Sequence, residues 1–438
     1  MKVSLLIPIS KEDWTFRDIS TRKYTHGFHQ YPARMHPEIA KRLIEKYTKK
    51  SSDIIFDPFM GSGGVLVEAM LHGNNSIGID LNPFAVLLSE VKTTPINSKK
   101  LEDTFDQIIT NSTKDKKNKI EYDNAPNFLP KKPKEKSLKF WYQDETIRDL
   151  QILKNHVFLT NDKKTRDFFK ICFSLTTRRV SFQKNSIYKI YRMKPDKREL
   201  FKPNVLDEFS KICKNNIKNM NEFSNTLGTN YSKATPILGN TFAAPELLDG
   251  KKPTLVVTSP PYGDHGTTVA YGQFSRHPGM WLELEDNDEL FAVDSNGLGG
   301  QKKESFEDLN SETLDKTLKK IKEKDSQVPK EKTHANRTAD VYSFFYDLDK
   351  CFDKISQVLK PKQSHCCFVV ANRTVRREKI PTDEICVELA KKYGFKYVDT
   401  ISRTIANKAM SLKNAPENIV YFNKSNTMTE ESIIIWEY

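Results

Sequence analysis

An α/β fold organised around a doubly wound sheet is predicted by three observations. A strand, a glycine-bearing turn, a helix and a second strand follow one another within residues 53–80. Short apolar runs then alternate with amphipathic helices towards the C-terminus. The last runs, at 397–401, 418–422 and 432–437, read as strands with no helix between them, which predicts a closing antiparallel hairpin.

The first core stretch, residues 1–97, carries a helix at 37–47, where Ile39, Leu43, Ile44 and Tyr47 recur at helical spacing. A short strand at 53–56 precedes the turn at 57–64. A helix bearing Val65, Leu66, Ala69 and Met70 comes next, then a strand at 76–80 and, after Asn82-Pro83, another helix. Such a run forms a right-handed βαβ unit whose ligand crevice lies at the strand ends. Over residues 98–234 lysine and asparagine dominate, with charge runs at 114–119 and 131–136. Apolar spacing nonetheless survives at Leu150, Ile152 and Leu153 and again at Phe168, Phe169, Ile171, Cys172 and Leu175, so the stretch reads as a helical, basic insertion. Strands at 236–238 and 254–257 resume the core over 235–284. The polar stretch 285–336, with Gly297, Gly299 and Gly300, is expected to be a loop or small helical insertion. Residues 337–438 complete the core: a helix at 343–359 stopped by Pro361, a buried strand at 365–370, a helix at 383–393 and the terminal strands.

The 438 residues are 37% hydrophobic and 29% charged, a globular mixture long enough for one large α/β domain with a second domain or sizeable insertions. Lys and Arg number 70 against 57 Asp and Glu, a formal charge of +13 that suits a polyanionic partner. A solvated basic surface is the plainer alternative. Six scattered cysteines make no disulfide framework, and without a C-x-x-C pair no structural zinc is expected. The apolar opening runs too soon into Lys11, Glu12 and Asp13 for a secretory signal, and no apolar run approaches the roughly 18 residues of a membrane span. A cytoplasmic protein that engages no membrane is expected.

Two motifs carry chemistry. The first is the turn Phe56-Asp57-Pro58-Phe59-Met60-Gly61-Ser62-Gly63, whose glycines let backbone approach a ligand closely. A turn between strand and helix is where α/β folds bind nucleotides. Asp57, at the strand end, would repel the pyrophosphate of a dinucleotide but suits the cationic amino group of S-adenosylmethionine. Asp80, ending the next strand, is placed to accept from ribose hydroxyls. Helix capping is the alternative for Asp57. The second motif is Ser259-Pro260-Pro261-Tyr262, just past an apolar strand. Its prolines stiffen the backbone and leave carbonyls free to accept. An exocyclic amine of cytosine or adenine has hydrogens to donate, which the Ser259 hydroxyl oxygen and the Pro260 carbonyl can take. Tyr262 offers a face on which an extruded base stacks, returning about 1–3 kcal/mol of the unstacking cost.

The runs Asp57–Gly63, Gly78-Ile79-Asp80-Leu81-Asn82-Pro83 and Thr258–Tyr262 together resemble the amino-group DNA methyltransferases of restriction–modification systems. The resemblance covers most of the chain outside the two insertions and includes Asn372-Arg373-Thr374 and Ser402-Arg403-Thr404-Ile405. It implies a Rossmann-like methyltransferase sheet with S-adenosyl-L-methionine as cofactor and double-stranded DNA as substrate. It also implies a cognate restriction endonuclease as partner and residues 98–234 as the target-recognition region. The catalytic set implied is Ser259, Pro260, Pro261 and Tyr262. The cofactor set is Asp57, Pro58, Phe59, Gly61, Ser62, Gly63, Asp80, Leu81, Asn82 and Thr258, with Phe28, His29 and Pro32 from the segment Phe28–Pro37. Where many members carry Gly-Asp after the third strand this chain has Gly239-Asn240, and the Asn240 carbonyl oxygen can still accept from the adenine amine.

A leading Ser is similar to the N4-cytosine subset, whereas Asp or Asn marks the N6-adenine one, so N4 of cytosine is the expected target and N6 of adenine the alternative. C5 methylation needs a cysteine nucleophile, commonly after proline, and no Pro-Cys occurs. An RNA-base methyltransferase uses similar turns but is expected to carry an RNA-binding domain ahead of them, for which too few residues precede the cofactor segment. A fold that reads DNA without modifying it is disfavoured by the intact Asp57, Asp80, Ser259 and Tyr262. Arg178, Arg179, Lys184, Lys189, Arg192 and Lys194, interleaved with Phe182, Tyr188 and Tyr191, are the candidate phosphate contacts. Arg276 is placed with them, in a Gly-aromatic stretch after the catalytic motif read as a loop that closes over the base or buries Tyr271 and Phe274.

Overall fold

The structure, a computed structural model, describes residues 13–126, 137–184, 190–263, 269–285, 287–328, 336–405, 413–414, 425–426 and 430–438. Seven strands form the central sheet: β1 (Ile55–Asp57), β2 (Ser76–Asp80), β3 (Ala234–Leu238), β4 (Leu255–Thr258), β5 (His365–Val370), β6 (Lys396–Thr404) and β7 (Glu430–Glu437). Their order is β3-β2-β1-β4-β5-β7-β6. The first five run parallel, and β7 inserts antiparallel between β5 and β6, pairing Ser432 with Val370 and Glu431 with Arg403. The expected terminal hairpin is therefore present, with its last strand on the inside. The strand candidate at 418–422 lies outside the described residues.

Period-2 alternation decides which helices cover which face. From β4, β5 and β7, Leu255, Val257, Cys367, Val369, Ile433 and Ile435 pack with α1 (Pro37–Tyr47) and α2 (Gly64–His72). The intervening Val256, Cys366, Phe368, Val370, Ile434 and Trp436 pack on the opposite side. Both faces are covered, as a mostly parallel sheet requires. Helix α3 (Pro83–Lys92) follows β2, started by Asn82, whose Oδ1 accepts from the Phe84 amide at 3.1 Å.

Between β2 and β3 lie four long helices: α4 (Ser98–Lys117), α5 (Asp144–Phe158), α6 (Lys163–Arg179) and α7 (Val205–Leu227). Together with α3 they enclose a core that includes Leu101, Phe105, Leu150, Leu153, Phe168, Phe169, Phe173, Phe209 and Met220. The stretch is therefore a packed helical layer continuous with α3. Helix α8 (Tyr271–Leu282) joins it through Phe274 and Trp281.

The polar stretch 285–336 is helical: α9 (Asn287–Asn296) is followed by α10 (Glu312–Asp325). Leu314, Leu318 and Ile321 of α10 stand at helical spacing among lysines and bury against the face of the sheet lined by α11 (Arg337–Val358) and α12 (Thr382–Lys391). Helix α11 starts six residues before the expected 343, where Asn336 Oδ1 accepts from the Ala339 amide at 3.0 Å. Among the described residues no helix is long and apolar enough to cross a membrane.

Candidate active site

The parallel strands end at one edge of the sheet, and there the two motifs meet. Asp57 closes β1 and Thr258 closes β4, its neighbour. The Thr258 hydroxyl donates to Asp57 Oδ1 at 2.6 Å, and the Phe59 amide donates to the same oxygen at 3.2 Å. Asp57 caps no helix: the N-cap of α2 is Gly63. Burial pushes the Asp57 carboxyl up to about 7, against the lowering effect of the Thr258 and Phe59 bonds. A carboxyl so placed gains from a cationic partner, since a nearby positive charge restores its ionised form.

The turn is shaped by close approaches. Gly63 sits at φ 69°, and a Cβ there would come within 2.7 Å of Ser89 Oγ on α3. A Cβ at Gly78, mid-β2, would stand 2.6 Å from Met60 Sδ. The Gly61 and Asn82 amides donate to the two carboxylate oxygens of Asp80, each at 2.8 Å. Burial raises the Asp80 carboxyl to about 6, with those two amides pulling the other way. Below the turn Lys92 Nζ donates to the Ser62 carbonyl, and burial holds its pKa well below the ordinary lysine range. Pro58 is buried, and Phe59 and Leu81 are half-buried.

Asn82 ties three segments together: besides capping α3, its Nδ2 donates to Ser275 Oγ of α8 at 2.6 Å and to the Tyr31 hydroxyl at 3.4 Å. Nothing in the local sequence signals the Ser275 bond, 193 residues away. Tyr31, with Tyr271 and Phe274 at 5.9 Å between ring centroids, walls this end of the site.

The three residues of the upstream segment all lie inside the fold. Phe28 is fully buried, its ring edge-on to Phe168 of α6 and its carbonyl accepting from Asn216. It belongs to the core of the helical layer rather than to the site surface, because its turn docks on α7. His29 is buried between Phe84 and Phe274, its Nδ1 bonded to the Gln30 carbonyl at 2.5 Å. Burial drives its pKa down to about 3, so it is neutral. Pro32 is likewise buried. Asn240 Oδ1 already accepts from the Phe242 amide at 3.0 Å, starting a 3-10 turn, so the oxygen expected to meet an adenine amine is partly engaged.

Past β4, Ser259 is half-buried and its hydroxyl donates to the Tyr262 hydroxyl at 3.2 Å. Tyr262 in turn donates to Glu431 Oε1 on β7 at 3.0 Å, and Arg403 on β6 pairs with Glu431 Oε2. Burial, then the Glu431 charge, holds the Tyr262 phenol well above its ordinary range. Glu431 is invisible as a site residue in the sequence, because the strand apposition that brings it across 169 residues has no local signature. Pro260 is buried and Pro261 half-buried beside them. A Cβ on Gly263 would collide with the Arg373 guanidinium, which lies over Phe344.

The basic residues differ in burial and in partners. Arg178 is 2% exposed, its guanidinium over Phe274 and bonded to Gln183 Oε1 at 3.0 Å, so it is a core residue and not a phosphate contact. Arg179 pairs with Glu208 at 2.6 Å, and Arg192 lies 3.8 Å from the Phe140 ring centroid. Lys184 and Lys194 are exposed. Lys189 and Tyr188 lie outside the described residues, as do Asp264, His265 and Gly266. Arg276 is half-buried on α8, which replaces the expected loop, with Phe274 in the core.

Comparison with known proteins agrees with this geometry. The family described as DNA methylase matches residues 8–91, the stretch holding the turn and Asp80. The type II methyltransferase M.MvaI of Kocuria varians is 38% identical over 99% of this chain and 95% of its own length. The type II methyltransferase M.MjaII of Methanocaldococcus jannaschii is 42% identical over 18% of this chain and 15% of its own. A tRNA (guanine(10)-N2)-dimethyltransferase of the same archaeon is 41% identical over only 14% of this chain and 16% of its own. A relative 38% identical across nearly the whole of both chains, with the family match over the first motif, places the chain among the DNA amino-methyltransferases of restriction–modification type.

Proposed function

We propose that the protein transfers a methyl group from S-adenosyl-L-methionine to the exocyclic N4 amine of cytosine in double-stranded DNA, at a sequence shared with a cognate restriction endonuclease. The observation that carries this is the Thr258–Asp57 bond, which fastens the first residue before Ser259 to the carboxylate that ends β1. The turn of one motif and the proline pair of the other thereby start from the ends of two adjacent strands. Asp57 would hold the donor's ammonium group, Asp80 its ribose, and the half-buried Gly61 backbone would leave room for its body. Bound there, the cofactor supplies an electrophilic methyl group. Ser259 and the Pro260 carbonyl take the amine hydrogens and turn the nitrogen lone pair towards that carbon, while the Tyr262 face stacks the extruded base.

The serine that leads the motif favours cytosine. The helical layer, 98–234, is proposed to read the target sequence, with Lys184 and Lys194 meeting phosphate. The test is transfer of labelled methyl groups to duplex DNA followed by digestion to nucleosides. N4-methylcytosine is expected; N6-methyladenine would overturn the choice of base, and label confined to tRNA would overturn the choice of substrate.

A further inference from the structure

The chain of bonds from Ser259 reaches past the motif into the two terminal strands, far from it in sequence. A carboxylate only accepts, so the single Tyr262 hydroxyl proton must point at Glu431. Ser259, 3.2 Å from the same phenol oxygen, must then donate its own proton to Tyr262. Its lone pairs are left for the incoming amine. Glu431 is fixed as the sink of this chain by Arg403, which stands directly across from it in the β7–β6 ladder. Arg403 is 7% exposed and is itself anchored by a 2.8 Å bond from its Nε to the Trp14 carbonyl.

We propose that Ser259, Tyr262 and Glu431 form a one-way proton relay that removes the proton released by N-methylation, with Arg403 as the positioning residue that holds Glu431. The inference rests on the amino-methyltransferase reading above. In the balanced step, the amine nitrogen forms a bond to the methyl carbon. The donor's carbon–sulfur bond breaks, with its electron pair staying on sulfur. The nitrogen then loses one proton to Ser259 Oγ, the serine proton moves to Tyr262 Oη, and the tyrosine proton moves to Glu431. The product amine is neutral, the former sulfonium is a neutral thioether, and the positive charge is carried off as the proton on Glu431. No further reactant is needed.

The test compares wild type, Tyr262→Phe, Glu431→Gln and the double variant on one duplex substrate. Tyr262→Phe keeps the stacking ring and loses only the hydroxyl, so it bypasses any folding defect of Glu431→Gln. The expected result is a fall in kcat of about a hundredfold or more for each single variant, within the range of general acid–base catalysis. KM for DNA should change less than about twofold, and fluorescence of 2-aminopurine at the target position should still report base extrusion. The double variant should be no slower than the slower single one, since both cut one path. Wild-type kcat in Tyr262→Phe, or multiplicative losses in the double variant, would overturn the relay. A wild-type protein that methylates no DNA would overturn the reading beneath it instead.

Discussion

Replacing Asp57 by Asn should weaken cofactor binding and stabilise the empty protein, and the opposite signs make the test sharp. The Asn side chain keeps an oxygen where the Thr258 hydroxyl and the Phe59 amide donate, so the local frame is retained. What is lost is the charge. An ammonium at about 4 Å from a carboxylate in an effective dielectric of about 20 gains about 4 kcal/mol. With the carboxyl at about 7, half of it is protonated at neutral pH, which subtracts only about 0.4 kcal/mol. A neutral amide oxygen recovers about 1 kcal/mol as an ordinary acceptor. The net loss is about 2–3 kcal/mol, or about 30- to 150-fold in Kd, read by titration calorimetry with S-adenosylmethionine. Stability moves the other way. Holding the carboxyl at about 7 in the folded chain against 3.8 ordinarily costs up to about 4 kcal/mol once it is ionised. Because the folded value is the higher one, the cost is absent near pH 4, accumulates as pH rises, and is complete above pH 7. Asp57→Asn should therefore melt higher than wild type at pH 8, with the gap narrowing towards pH 5.5. An unchanged Kd, or a variant that melts lower at pH 8, would refute the assignment of Asp57 as the buried cation acceptor.

Three further outcomes are expected. Gly63→Ala should lose about 2 kcal/mol or more of stability in denaturant titration, since it combines a left-handed backbone with a 2.7 Å approach to Ser89. Alanine at Lys184 and Lys194 should reduce the slope of log Kd for DNA against log salt by about one for each phosphate no longer neutralised, without lowering the melting temperature. Arg178→Ala should do the reverse, leaving the salt slope alone and lowering the melting temperature, because its guanidinium is packed over Phe274 and bonded to Gln183.

The turn, the strand ends and the catalytic tetrapeptide are legible in the sequence because each is a local device. Gly63 and Gly78 are dictated by their approaches to Ser89 and Met60, within one βαβα run of about 40 residues, and the Ser259–Tyr262 run is rigid in itself. Buried strands such as 365–370 are legible for the same reason, since both of their faces are apolar. What the sequence hides depends on partners distant along the chain. Arg178 looks like a surface cation because its helix ends in Arg178-Arg179, yet α8 lays Phe274 beneath the first of the pair and leaves the second to Glu208. Phe28 looks like part of the cofactor wall until α6 and α7 close over it.

The same principle explains why the site has more parts than its motifs. Strand β7 arrives antiparallel, so its first residues, not its last, lie at the edge where β1 and β4 end. That reversal delivers Glu431 to Tyr262, and the antiparallel ladder sets Arg403 opposite it to hold the charge. A parallel seventh strand would have brought its C-terminal residues, Trp436 and Glu437, to this edge instead. The inserted strand thus does more than shield the edge of β5: its direction determines which end of the segment can serve the chemistry.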